Sequence, residues 1–264
     1  MSGPIYEMVG IFHKNGSAQM FRARYVPAED IPVDSKGRVL DKNILSIVLG
    51  KVTGREGRVT KCTRKKGLEA PPLPYSLDTL QVEANRSLGY SPKVVLDTAQ
   101  SLYEKKLTSY PRSDCNYIPT SQHGDGAKIL KMLARYGIPG ADKGSLAIRS
   151  RAFDDKKVTA HYAIIPTGIA PKDLNEKETA LYKMIASRYM LQYLPPCEFE
   201  KMDFEVMVVG ELFWGNGKII LKEGFKGFFR RGEKTTENDE EQAVLPDIRE
   251  GDIVTGHYWI RPKK

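Results

Sequence analysis

PPLPYSLDTLQVEANRSLGYSP, residues 71–92, is where the chain changes its hydrophobic period. Pro71, Pro72 and Pro74 each fix φ and lack an amide donor, so no helix or central strand can run through 71–74 and a domain boundary is expected there. Beyond it, Leu77, Leu80, Gln81, Ala84 and Leu88 share one helical face, opened by Ser76 and closed by Gly89. A second helix follows: Ser91 can cap it, Pro92 sits in its first turn, and Val94, Val95, Leu96, Ala99, Leu102 and Tyr103 supply its apolar side. Two short helices joined by a Gly-containing turn fit a helix-turn-helix unit, and equally an ordinary packing pair.

Upstream, residues 1–70 read as short strands: IYEMVGIF, AQMFRARYVP, a less regular stretch up to VLDKNILSIVLG, and REGRVTKCTRKKG, punctuated by Gly and Pro. Downstream, a helix is expected at about 121–136, a Gly/Ser-rich loop to about 157, and an amphipathic helix over 175–193 closed by Pro195 and Pro196. From 198 the β alternation returns in FEKMDFEVMVVG, LFWGNGKIIL and DIVTGHYWI. Neither β segment alone would bury much core. The pattern therefore predicts a multidomain α+β chain, with a discontinuous antiparallel β domain (1–72 and 196–264) and an inserted, mainly helical domain (73–195). The acidic run TTENDEE at 235–241 reads as a solvated loop.

The 264 residues are 41% apolar and 28% charged, a globular balance. No apolar run approaches the roughly 18 to 20 residues of a membrane span. The opening MSGPIYEMVGIF lacks a basic start and apolar centre, so no membrane association and a cytoplasmic location are expected. Cys62, Cys115 and Cys197 form no C-x-x-C pair, which argues against a disulfide framework or a zinc site. A net charge of +8 favours a polyanionic partner without identifying it. No G-x-x-x-x-G-K-[ST] loop occurs, so nothing points to nucleotide hydrolysis.

The chemistry gathers in LTSYPRSDC, residues 107–115. A phenol of pKa about 10 is a poor nucleophile unless a cation or base favours its oxyanion. Arg112, two residues after Tyr110, can be that cation, and in an extended segment both would point to one side and address one phosphodiester. A half-buried Tyr and a surface Arg in an ordinary loop fit the same residues. His161, in TAHYAIIP, could donate to a phosphate oxygen or move a proton at a hydroxyl, or be a structural histidine at a strand start. His13, His123 and His257 lie in unrelated contexts.

KKLTSYPRSDCNYIP, with PPLPYSLDTLQVEANRSLGYSP upstream and AHYAIIPTG downstream, resembles the type IA DNA topoisomerases, nearest the topoisomerase III branch. The three blocks come in the family's order, and the resemblance runs from about residue 50 to about 230. It implies that Tyr110 forms a transient 5′-phosphotyrosyl link with one DNA strand, that Arg112 holds the scissile phosphate, and that His161 approaches the same site. Arg112, Ser113 and His161 are the implied DNA contacts. Tyr162 stands where a second histidine is usual, so no second-histidine role is expected. Gln81, Glu83 and Asn85 match the family's LQ-x-EAN helix and are read as structural.

The resemblance further implies an ATP-independent cycle of cleavage, strand passage and religation. It makes the chain a fragment, the β domain of an arch plus a helical domain with a CAP-like helix pair. Mg²⁺ would be bound by a Toprim domain, whose D-x-D cluster is absent here, so no cofactor is expected in the chain itself and it should be inactive alone. Single-stranded DNA, the Toprim domain and a DNA-channel domain are the expected partners, with the PPLP and Pro195–Pro196 junctions as hinge flanks. The rival reading is a non-catalytic DNA-binding module built on the Leu77–Tyr103 helix pair.

Overall fold

A computed structural model describes residues 5–229 and 245–263, and the acidic run at 235–241 lies outside them. The chain divides into two compact units, one of Met1–Gly67, Glu198–Leu221 and Lys234–Lys264, the other of Leu68–Cys197 and Lys222–Glu233. The fold is mixed α and β with an antiparallel sheet, and no described helix is long and apolar enough to cross a membrane.

In the first unit, six strands close into a barrel: β1 (Ile5–Lys14), β2 (Met20–Val26), β3 (Glu56–Glu69), β4 (Cys197–Val208), β5 (Glu211–Lys222) and β6 (Ile253–Lys263), in the order β1-β2-β5-β4-β3-β6. β1 lies antiparallel between β2 and β6. Alternation sorts the side chains. Phe21, Ala23 and Tyr25 of β2 point inward and are buried, whereas Met20, Arg22, Arg24 and Val26 are exposed. Inside, Phe12 meets Phe213 and Tyr258 edge-on at 5.4 and 5.5 Å, and Phe21 meets Phe204 at 5.2 Å. Such pairs each add about 0.5–1.5 kcal/mol beyond area burial.

One segment read from sequence as part of the β region is helical: α1 (Lys42–Val52). Its apolar run looks strand-like, but Leu45, Val48 and Val52 recur at helical spacing and bury one stripe. Asp41 fixes the start by accepting the Asn43 amide at 2.8 Å.

The second unit holds α2 (Leu77–Leu88), α3 (Pro92–Glu104), α4 (Gly126–Tyr136) and α5 (Glu176–Met190), with short 3-10 turns at Thr120–Asp125 and Leu191–Tyr193. Ser76 and Thr79 form a capping box on α2, which ends at Gly89 in the left-handed region. Asn85 Nδ2 donates to Tyr90 O at 3.1 Å and Gln81 Nε2 to Pro92 O at 2.9 Å, so both tie α2 to the start of α3, a structural task. At the start of α5, Glu178 is buried beneath Lys105 Nζ at 2.8 Å and Ser101 Oγ at 2.5 Å. Burial alone would raise its carboxyl pKa, but the bonds from Lys105, Ser101 and the Asn175 amide outweigh that and hold it below its ordinary value. This anchor locks the end of α3, from which the site segment departs.

Lys222–Glu233 groups with the helical unit, whereas the sequence pattern placed all of 196–264 in the β domain. The reason is a close backbone approach. The Phe225 amide donates to Pro195 O at 2.9 Å, and Gly224, at φ +54, turns so tightly that a Cβ there would lie 2.3 Å from Pro196 O and 2.5 Å from Pro195 O. Gly224→Ala should therefore cost about 2 kcal/mol, from a clash with backbone that cannot rotate away and from a left-handed φ. Denaturant unfolding checks it, and an unchanged midpoint would contradict the tight turn.

Candidate active site

Tyr110 owes its position to the way α3 ends. Lys106 takes a left-handed conformation at φ +60, its amide donates to Tyr103 O at 2.8 Å, and the Leu107 amide donates to Leu102 O at 2.9 Å. That is a Schellman ending with lysine where glycine is usual. It turns the chain away from the helix and buries Leu107 and Thr108.

The segment after the turn pairs with 163–167. The Thr167 amide donates to Leu107 O and the Ser109 amide to Ile165 O, both at 2.9 Å. The Ser109 hydroxyl donates to Ala163 O at 2.8 Å and accepts the Ile165 amide at 2.9 Å. On the other side of the same stretch, the Ala163 amide donates to Tyr117 O at 2.9 Å and the Ile164 amide to Tyr75 O at 2.8 Å. Residues distant in sequence are thus held rigidly together by backbone bonds.

The consequence is that the Tyr110 and His161 rings lie 4.4 Å apart between centroids, tilted by 37°. Tyr103 meets the other side of Tyr110 edge-on at 5.5 Å. Tyr110 is half-buried and His161 exposed. Arg112 is also exposed, and among the described residues no carboxylate pairs with it, so its donor fork is open to an incoming anion.

The backbone bends at Pro111 and Arg112, so the same-side inference drawn from an extended strand does not apply. Ser113 differs from expectation. It is 2% exposed, its hydroxyl accepts the Cys115 amide at 3.2 Å, and its carbonyl accepts the Leu77 amide at 2.8 Å, one of the unpaired first-turn donors of α2. It shapes the turn rather than presenting a hydroxyl at the surface. The Thr159 hydroxyl lies 2.9 Å from Asp114 Oδ1 and 3.2 Å from His161 O, linking the two halves again.

Four other tyrosines of this unit are buried with hydroxyls that hold their protons more tightly than a free phenol. Burial pushes the hydroxyls of Tyr75 and Tyr193 up to about 12 and raises those of Tyr182 and Tyr189 as well. His123 packs flat against Tyr193 at 5.2 Å with Nε2 2.8 Å from Ile148 O, a structural place.

Sequence reasoning missed Ser109, Thr159 and Tyr103, because nothing local distinguishes them from ordinary polar and aromatic residues. It also missed a cleft of about 330 Å³ beside the paired segments, lined by Ser109, Gln122, Asp125, Lys128, Tyr162 and Thr167. Among the described residues no group of three or more His, Cys, Asp or Glu could hold a metal ion. Ser109→Ala should cost about 1–2 kcal/mol, since it leaves a buried carbonyl and amide without their shared partner. Hydrogen exchange at the Ile165 amide should speed up, and unchanged protection would show that the hydroxyl is not what holds the two segments together.

Residues 9–260 match the family model described as DNA topoisomerase. The chain is similar to DNA topoisomerase 3 of Haemophilus influenzae, at 34% identity over 246 residues, covering 90% of this chain and 37% of the relative. It is similar to that of Pasteurella multocida at 33% over 242 residues, covering 89% and 37%. The chain thus spans 37% of the length of these curated relatives. Full-length topoisomerase I from Thermotoga maritima shares its fold, with a TM-score of 0.66 over 99% of this chain and 41% of that one, at 19% identity.

Proposed function

Since the chain belongs to the type IA DNA topoisomerases, we propose that it carries the strand-breaking tyrosine of such an enzyme and acts on single-stranded DNA. The observation that carries this reading is the Tyr110–His161 contact, with centroids 4.4 Å apart. It joins two of the blocks by which the sequence resembles the family, next to an exposed Arg112.

In this mechanism the Tyr110 Oη attacks the phosphorus of a phosphodiester. The Oη–P bond forms, the P–O3′ bond breaks, the phenolic proton leaves and the departing 3′-oxygen takes up a proton. The product is a 5′-phosphotyrosyl link that keeps the energy of the broken bond, so religation needs no ATP. After a second strand passes, the 3′-hydroxyl attacks the same phosphorus and expels the phenolate. Arg112 clamps the phosphate oxygens and stabilises charge developing on them. His161 donates to a phosphate oxygen or passes the proton at the 3′-oxygen. Tyr103 and the Ser109 hydroxyl hold Tyr110 in place, and Ser113 fixes the turn that carries Arg112.

We assign Mg²⁺ to a Toprim domain outside this chain. No step above runs through the ion. That domain and a DNA-channel domain are the proposed partners. The isolated chain is expected to form no adduct, and the helix pair α2–α3 to serve packing or duplex contact within the larger enzyme.

The test supplies the chain with a Toprim domain, in one polypeptide or in trans, together with Mg²⁺ and end-labelled single-stranded DNA, followed by denaturing electrophoresis. A 5′-phosphotyrosyl link retains the strand on the 3′ side of the break. A 3′-end label should therefore move with the protein and a 5′-end label should not. The opposite labelling would overturn the assigned polarity.

A further inference from the structure

In the barrel unit, the outward face of four neighbouring strands carries flat rings and cations in register. β1 aligns Val9 with Trp259 of β6 on one side and Arg24 of β2 on the other, and Arg24 aligns with Trp214 of β5. One row therefore reads Trp259, Val9, Arg24, Trp214. The row crosses four of the six strands of the barrel, β6, β1, β2 and β5. Val9 of this row is 0% exposed.

The Arg24 guanidinium lies over the Trp214 ring at 6.0 Å, and that of Arg22, one outward position along β2, over the Trp259 ring at 5.8 Å. Both arginines are exposed, and the Arg24 cation rests on an indole with its far side toward solvent. Next to this row opens a cleft of about 520 Å³ whose lining includes Trp214, Arg24, Lys36 and Tyr6.

The charge there is one-sided. Glu7 is the carboxylate of the cleft lining, and Arg261 Nε already holds it at 2.5 Å. Arg38 is held by Asp34 at 2.6 Å. Arg24 and Lys36 have no ion-pair partner among the described residues, which leaves two cations beside aromatic faces.

We infer that this face of the barrel, from Trp259 across Arg24 to Trp214 and the Lys36 cleft, is a binding platform for single-stranded DNA. Bases stack on guanidinium planes and on rings whatever their sequence, while the cations take the phosphates. Duplex DNA hides its base faces and cannot use the rings, so the platform selects unpaired strands. The platform neither uses Tyr110 nor requires cleavage, so it stands or falls apart from the function proposed above.

The chain holds only two tryptophans, and both lie on this face, so its intrinsic fluorescence reports this surface alone. The experiment titrates the chain with a thymidine oligonucleotide of about ten residues, within the range of known single-strand site sizes, in EDTA so that no cleavage contributes. Saturable quenching is expected. Trp214→Leu should weaken binding about tenfold and Trp214→Phe much less, as expected for a stacking contact. Arg24→Ala with Lys36→Ala should lower the slope of log affinity against log salt by roughly 1.4, about 0.7 per lost phosphate contact.

Both substituted cations are exposed, and a far-ultraviolet melt confirms that the variants fold. Absence of quenching by the oligonucleotide would overturn the inference. So would an unchanged salt slope in the folded double variant, or a blunt duplex binding as tightly as the single strand. Equal quenching by heparin, a polyanion without bases, would reduce the face to a general anion surface and overturn it too.

Discussion

Tyr110→Phe should abolish covalent adduct formation altogether while leaving the fold intact. The substitution removes one oxygen and nothing else. The ring keeps its edge contact with Tyr103 at 5.5 Å and its packing against His161 at 4.4 Å, and no hydrogen bond is lost that the fold depends on. Stability should stay within about 0.5 kcal/mol of the parent. Chemistry, by contrast, loses the phenol that lies against His161. Tyr75 and Tyr193 are buried with hydroxyls raised to about 12, and burial raises Tyr182 and Tyr189 as well. The loss should be total rather than graded, since phenylalanine carries no oxygen to bond phosphorus. The measurement is the label-transfer assay with the Toprim domain and Mg²⁺ present. Adduct persisting at the parent yield would remove Tyr110 from the mechanism.

Arg112→Ala should slow cleavage by about 10²–10³-fold, the usual cost of deleting one preorganised donor to a developing oxyanion. Because Arg112 is exposed and pairs with no carboxylate among the described residues, its removal should not move the unfolding midpoint. That split separates a group acting on substrate from one that merely supports the turn. Arg112→Lys should recover only part of the rate, since an ammonium supplies charge without the planar fork that grips two phosphate oxygens. Single-turnover cleavage of a labelled oligonucleotide gives the rates. A rate within twofold of the parent for Arg112→Ala would place the phosphate clamp on another residue.

Much of the secondary structure could be read from sequence because the signals that set it act over a few residues. Ser76, Ser91 and Gly89 sit where cap chemistry puts them, and α2 and α3 follow their apolar spacing. α5 spans Glu176–Met190, within the 175–193 stretch read from its pattern. The misreading of Lys42–Val52 has the opposite cause. Over a short apolar run, strand and helix look alike until a core accepts one stripe of the three residues Leu45, Val48 and Val52. Lys106 carried no glycine to announce its left-handed turn, and the allegiance of Lys222–Glu233 hangs on a backbone contact with Pro195 and Pro196 that no residue pattern encodes.

The sequence by itself determined the period change at residues 71–92, the capped helices and the alternating strands, and its three blocks singled out Tyr110, Arg112 and His161 as candidates by resemblance to the family. Periodicity and capping are properties of neighbours and a motif is a run of adjacent residues, so they survive in one dimension. Only the tertiary structure set the Tyr110 and His161 rings 4.4 Å apart and turned Ser113 inward. It alone set Trp214, Trp259, Arg22 and Arg24 on one outer face of the barrel. Those arrangements rest on hydrogen bonds and strand registers between segments far apart in the chain. Their energies depend on the closed fold as a whole and leave no mark on any one stretch of residues.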